Sequence, residues 1–158
     1  MAADQVNVRL AQVIDIPALV SLMHDFYMEA DFPLDRDWAA AAFRTLLTNP
    51  ALGRVWIAMT DGTCMGYVVL SVRFAMEYGG MSAYIDDLYV RPAFRGQGVT
   101  TALLNTLSAY CKSAGCKSLH VEVGTQNLPA RELYARYGLQ PGTAGRVMLS
   151  TALPEAGT

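Results

Sequence analysis

Between residues 16 and 30 the apolar positions fall at helical spacing. Ile16, Leu19, Val20, Met23, Phe26, Tyr27 and Ala30 stand at i, i+3, i+4, i+7, i+10, i+11 and i+14, the stripe of an amphipathic helix, with Asp15 as its N-cap. A second helix is predicted from Asp37, again as cap, through Trp38, Phe43, Leu46 and Leu47. Asn49-Pro50 stops it, since proline cannot donate to the helix ladder. The pattern then changes to β-rich runs, RVWIAM at 54–59 and CMGYVVLSVRF at 64–74. Asp61-Gly62 between them suits the positive backbone angles of a tight hairpin.

After Gly79-Gly80 the run SAYIDDLYV, 82–90, is a third strand, ended by Arg91-Pro92. From about Gly98, Leu103, Leu104, Leu107, Cys111 and Ala114 stripe another helix, which Gly115 closes at C′. SLHVEV, 118–123, alternates as a strand, so this stretch is a strand, helix, strand unit whose strands pair in parallel. On that strand His120 and Glu122 share the face opposite Leu119 and Val121. Asn127, with Pro129 just inside, opens a short helix that ends at Gly138. The tail GRVMLSTAL, 145–153, reads as a last strand, and Met65, Met76, Met81 and Met148 read as core filler. With no repeat and no low-complexity linker, residues 1–158 form one α/β domain with a mixed sheet.

Composition narrows the function. The 158 residues are 53% apolar and 16% charged, with a formal net charge of −2. That is enough apolar material for a real core, and it leaves apolar surface for a homodimer. Near-zero net charge gives no electrostatic footing on nucleic acid. No apolar run approaches the ~18 residues of a spanning helix, and MAADQVNVRL lacks the basic and apolar regions of a signal peptide. A cytoplasmic protein without membrane association is expected. Cys64, Cys111 and Cys116, with His24 and His120 in distant segments, fit neither a disulfide framework nor the spacings of a metal site.

The chemistry concentrates in residues 84–104, where a strand delivers the chain to Arg95-Gly96-Gln97-Gly98-Val99-Thr100 and a helix leaves from it. Glycines at a helix start let backbone N–H groups approach an anion, and the helix dipole adds partial positive charge. The implied ligand is a phosphate or pyrophosphate. No lysine follows Gly98 as a P-loop requires, and Thr101 stands where a dinucleotide fingerprint has its third glycine, although Glu122 is at a suitable distance for a ribose acid.

These residues resemble the GNAT superfamily of acetyl-CoA-dependent N-acetyltransferases. Arg95 and Gly98 fit its phosphate-loop pattern [RQ]-x-x-G-x-[GA], with Thr100 departing at the last position, and LYV-x-P before the loop and A-L-L after it also match. Downstream, Asn127, Ala130, Leu133, Tyr134 and Gly138 match the family's N-x-x-A-x-x-L-Y-x-x-x-G helix, with Leu139 in place of the common Phe. The order of elements agrees over nearly the whole chain. The resemblance implies the GNAT fold, a mixed sheet of about six to seven strands flanked by about four helices.

It also implies roles. The strand of Leu88, Tyr89 and Val90 would splay from that of Val121 and Val123, with the pantetheine arm of acetyl-CoA in the gap. The Leu88 N–H would stabilise the oxyanion, and Arg95, Gly96, Gln97, Gly98, Val99 and Thr100 would hold the pyrophosphate. Asn127 would hydrogen-bond the cofactor or the splayed strand, and Tyr134 would protonate the departing thiolate. The expected reaction is direct acetyl transfer to a primary amine, small-molecule or peptide, in a ternary complex. A non-catalytic acyl-CoA binding or sensing module is the alternative.

A base is also required, because an amine of pKa near ~10.4 is neutral only about once in 2,500 molecules at pH 7. Asp86 and Asp87 are the candidates, on opposite faces of their strand unless a bulge intervenes. By analogy with diamine acetyltransferases Asp86 is the first choice, and Tyr27, Asp86 and Asp87 are expected to bind the acceptor. Residues 24–37 carry Asp25, Glu29, Asp31, Asp35 and Asp37 against Arg36, a formal −4 with His24 neutral; the resemblance places this segment over the acceptor site, which implies a cationic acceptor.

Overall fold

The computed structural model describes residues 6–142 and 144–156. In chain order the elements are β1 (Asn7–Leu10), α1 (Ile16–Glu29), α2 (Arg36–Thr48), β2 (Gly53–Thr60), β3 (Thr63–Ala75), β4 (Gly80–Val90), α3 (Val99–Ser113), β5 (Ser118–Val121) and α4 (Leu128–Ala135). Single 3₁₀ turns precede α1 at Val13–Asp15 and α3 at Pro92–Phe94. Two compact units result, Met1–Glu122 and Val123–Thr158.

The first unit is built on a five-stranded sheet of order β1-β2-β3-β4-β5, antiparallel except for the parallel pair β4 and β5. At the β2–β3 hairpin Asp61 (φ 46°) and Gly62 (φ 76°) both take the left-handed conformation, as the right-handed twist of the flanking strands requires. On one face α1 and α2 cover Val55, Ile57, Tyr67, Val69 and Tyr89 with Leu19, Leu22, Met23 and Phe43. On the other, α3 packs over β2, β3 and β4, its Leu103, Leu104 and Leu107 fully buried and its Tyr110 edge-on to Trp56 at 5.3 Å. Truncating a buried leucine such as Leu22 to alanine would cost about 2–5 kcal/mol.

Two expected caps act differently. Asp15 stands at the N-cap of α1 but does not cap it. Its carboxylate forms a bidentate pair with Arg9, 2.8 Å on each branch, and accepts the Gln12 N–H at 2.7 Å, closing the preceding 3₁₀ turn. In α2 the cap is Asp35, which accepts the Trp38 N–H at 3.0 Å. Asp37, the expected cap, falls within the first turn, where its charge still complements the helix dipole.

The sheet is smaller than the six to seven strands expected. β5 ends at Val121, so Val123 lies outside it, and the tail 145–153 forms no strand. A strand needs a neighbour to take its backbone groups as well as an alternating pattern, and the sheet among the described residues ends at β5. Val147, Met148 and Leu149 are more than 80% exposed. Met65 is buried as expected, whereas Met76 and Met148 are exposed and are not core.

Candidate active site

The β3–β4 register places the site. Val69 pairs with Asp87, but its neighbour Leu70 pairs with Ile85, so Asp86 is an extra, bulged residue. Cross-strand partners share a face. Ile85 therefore lies on the face of Leu70, while Asp87 lies with Val69 on the face covered by α1 and α2. The bulge cancels the alternation that would separate Asp86 from Asp87, and both carboxylates line one cavity of about 400 Å³. Its walls are Met23 and Tyr27 from α1, Ala42, Phe43 and Leu46 from α2, and Val69 from β3.

The two carboxylates differ. Asp86 is exposed. Asp87 is half-buried and accepts a hydrogen bond from the hydroxyl of the fully buried Tyr67 at 2.9 Å. Burial pushes the Asp87 carboxyl above the usual carboxylate range, the Tyr67 hydrogen bond opposes this, and the charge of Asp86 adds to it. The phenol of Tyr27 is raised by burial and then by Asp87 and Asp86. Neither Asp86 nor Asp87 forms an ion pair among the described residues.

β4 is paired on its second edge over part of its length. Its parallel pairing with β5 runs only from Ser82 to Ile85. From Asp86 to Val90 that edge has no strand partner among the described residues, because β5 ends at Val121, opposite Ile85. After Val90 the chain enters the glycine loop, where Gly96 (φ 75°) and Gly98 (φ 82°) are left-handed. Gly98 is the N-cap of the 15-residue α3 and no side chain caps it, so the helix start has no internal anion substitute. A side chain at Gly96 would meet nothing within 4 Å, so the loop leaves open space there. These features fit a pyrophosphate.

Arg95 is held within the protein in a way its spacing did not announce. Its guanidinium pairs with both oxygens of Glu29 at 2.8 and 2.9 Å, its Nε donates to the Val90 carbonyl at 2.9 Å, and it lies over the Tyr89 ring at 5.6 Å. Arg91 likewise lies 3.4 Å from Asp25. Two of the five carboxylates expected to attract a cationic acceptor are thus neutralised by arginines, and Asp35 serves as a helix cap. Gln97 donates to the Ala93 carbonyl at 3.2 Å, Val99 is buried and Thr100 half-buried.

In the second unit Asn127 caps α4, its side chain accepting the Ala130 N–H at 3.3 Å. Tyr134 is buried, which pushes its phenol up to about 12. His120 stacks on Tyr84 at 4.7 Å with its Nε2 3.0 Å from the Ser118 hydroxyl, and Glu122 lies exposed beyond β5, so the two form no buried relay. Among the described residues no cluster of three or more potential ligands could hold a metal, and no helix is long and apolar enough to cross a membrane.

Sequence reasoning missed Tyr67, Ala42 and Val69 as site residues, and read Met23, Phe43 and Leu46 only as apolar helix positions. A tyrosine inside an apolar strand was the available signal for Tyr67; its partner lies 20 residues on.

Residues 17–139 match the acetyltransferase (GNAT) family. The chain is similar to an aminoglycoside N(6')-acetyltransferase type 1 of Stenotrophomonas maltophilia, 26% identical over 144 residues that cover 89% of this chain and 90% of the relative. Among solved structures, integron cassette protein HFX_CASS3, from the mobile metagenome of Cole Harbour Salt Marsh, superposes with a TM-score of 0.84 at 39% identity, covering 98% and 94% of the two chains. A protein from Clostridium acetobutylicum solved with acetyl-CoA shares the fold, with a TM-score of 0.76 at 22% identity over 92% of this chain and 96% of that one.

Proposed function

The chain belongs to the acetyltransferase (GNAT) family and is an acetyl-CoA-dependent N-acetyltransferase; from that premise we propose that it acetylates a primary amine by direct attack within a ternary complex. The observation that carries this reading is the shared placement of Tyr27, Asp86 and Asp87 in one cavity beside the unpaired half of β4. A carboxylate with raised proton affinity, unneutralised by any cation, suits a group that must take a proton from an amine. We assign that role to Asp87 and the holding of the incoming ammonium to the exposed Asp86, reversing the first choice made from sequence.

When bound, acetyl-CoA supplies the activated acetyl group. The ammonium would first give one proton to Asp87, which passes it to solvent; the freed amine nitrogen would then bond to the acetyl carbon as the carbon–sulfur bond breaks, its second proton leaving through the same carboxylate. The Leu88 N–H stabilises the oxygen that gains charge. Leu88, Tyr89 and Val90 offer backbone groups to the pantetheine arm, residues 95–100 hold the pyrophosphate, Asn127 supports the cofactor side, and Tyr134, protonated at neutral pH, gives a proton to the thiolate. Residues 1–158 act as one acetyltransferase domain, as the family match across 17–139 supports. The exposed apolar tail supports a homodimer, and the protein works in the cytoplasm on a small-molecule or peptide amine.

Thiol release from acetyl-CoA, measured with a set of amines and with acetylated product read by mass, tests the reading. Amine-dependent release is expected. Tight acetyl-CoA binding with no release for any amine would favour a binding or sensing module instead.

A further inference from the structure

Resting on the acetyl-transfer reading, we infer that the acceptor is a primary monoamine on an apolar body, an aryl- or alkylamine with no carboxylate beside the amino group and no second cationic centre. The cavity lining has two chemical characters. Asp86 and Asp87 are its charged groups, whereas Phe43, Leu46, Met23 and Val69, the last paired with Asp87 across the sheet, are apolar, with the Tyr27 ring between them in kind. No lysine, arginine or histidine belongs to the lining among the described residues, and the arginines nearest in sequence to β4's end, Arg91 and Arg95, are engaged by Asp25 and Glu29.

Each absence excludes a class. An α-amino acid brings a carboxylate within a few ångströms of the ammonium, so seating its nitrogen against Asp86 and Asp87 sets like charges together with no cation to offset them. An aminoglycoside carries several further ammonium groups, more than the two carboxylates of the lining can face, and the surplus gains nothing against Phe43 and Leu46. An apolar body instead fills that wall and releases its water. About 400 Å³ is at the small end of ligand sites, which suits one ring or a short chain. The relative named for aminoglycosides therefore differs from this chain in the acceptor it is expected to take.

The test compares kcat/KM for 2-phenylethylamine, phenylalanine, an alanyl tripeptide and kanamycin in the thiol-release assay, with acetyl-CoA binding measured separately by calorimetry. Phenylethylamine is expected to exceed each of the others by at least 30-fold; any smaller margin, or another acceptor ahead, overturns the inference while leaving acetyl transfer standing. Release with no amine overturns both. In a second arm Ala42→Arg, a change at an exposed helical position on the cavity wall, supplies the missing cation. The ratio of phenylalanine to phenylethylamine should rise at least tenfold, and an unmoved ratio counts against the charge argument.

Discussion

Arg95 in the glycine loop and Glu29 in the last turn of α1, 66 residues apart, form a two-pronged ion pair at 2.8 and 2.9 Å. The loop expected to hold pyrophosphate is thereby fastened to the helix that walls the acceptor cavity. The same guanidinium cannot give its full charge to a phosphate and to Glu29. Glu29→Gln should free it while the Val90 carbonyl and the Tyr89 ring keep it in place. Acetyl-CoA should bind about 2–5-fold tighter by calorimetry, on the order of 0.4–1 kcal/mol. Weaker binding would mean that Glu29 positions Arg95 and does not compete for it.

Gly98 caps α3 at φ 82°, a conformation that a β-branched residue strongly resists. Gly98→Val should weaken acetyl-CoA binding at least tenfold, about 1.4 kcal/mol, with helix content preserved by circular dichroism. Unchanged affinity would remove the loop from the cofactor site.

Asp87→Asn should move activity and stability in opposite directions. With the proposed role of base, its loss should cost about 10²–10⁴ in kcat, while the Tyr67 hydroxyl keeps an acceptor at the same place. Because the folded-state pKa of Asp87 lies above its unfolded value, ionising it works against the fold. Wild type therefore loses stability relative to the variant as pH rises from the unfolded value, ~3.9, through the raised folded one, and the gap is constant above that. Urea unfolding at pH values from 3 to 8 measures it, and a variant less stable at pH 8 would contradict the assignment.

Asp15 gives the contrary sign. The Arg9 guanidinium holds its carboxyl below the usual range, with burial opposing and the Gln12 N–H assisting. Its contribution is present above the unfolded pKa and is lost as pH falls through the lowered one. Asp15→Asn should cost about 1 kcal/mol at pH 7, with the difference shrinking under acid conditions in the same unfolding experiment.

Tyr134→Phe keeps the buried ring and removes the proton donor. Since a thiolate is already a good leaving group, turnover should fall only ~10–100-fold, the low end of general-acid effects, with acetyl-CoA affinity little changed. Full turnover would assign the ring to packing alone.

What the chain displays locally was legible in it. The α1 stripe, the Asp61-Gly62 hairpin, the left-handed Gly98 opening α3 and the Asn127 cap of α4 each depend on residues within a turn or two. What depends on pairing across the sheet was not. Nothing in SAYIDDLYV announces that Leu70 pairs with Ile85 and Val69 with Asp87, so the sequence could not decide between Asp86 and Asp87 as base. The Tyr67–Asp87 and Arg95–Glu29 partners are likewise far apart in the chain. Asp35 and Asp37 are equally good caps by type, and the backbone selects the earlier. The tail's alternating pattern described a strand without supplying its neighbour.

The bulge at Asp86 divides β4 into two halves whose side-chain phases are independent. Substitutions in Gly80–Ile85 adjust the packing against α3, while Leu88–Val90 keeps its backbone beside the glycine loop, and the inserted residue absorbs the mismatch between them. Deleting that one residue would restore regular alternation with Ile85 and Asp87 still on opposite faces, so the cavity would keep the carboxylate of Asp87 and lose that of Asp86.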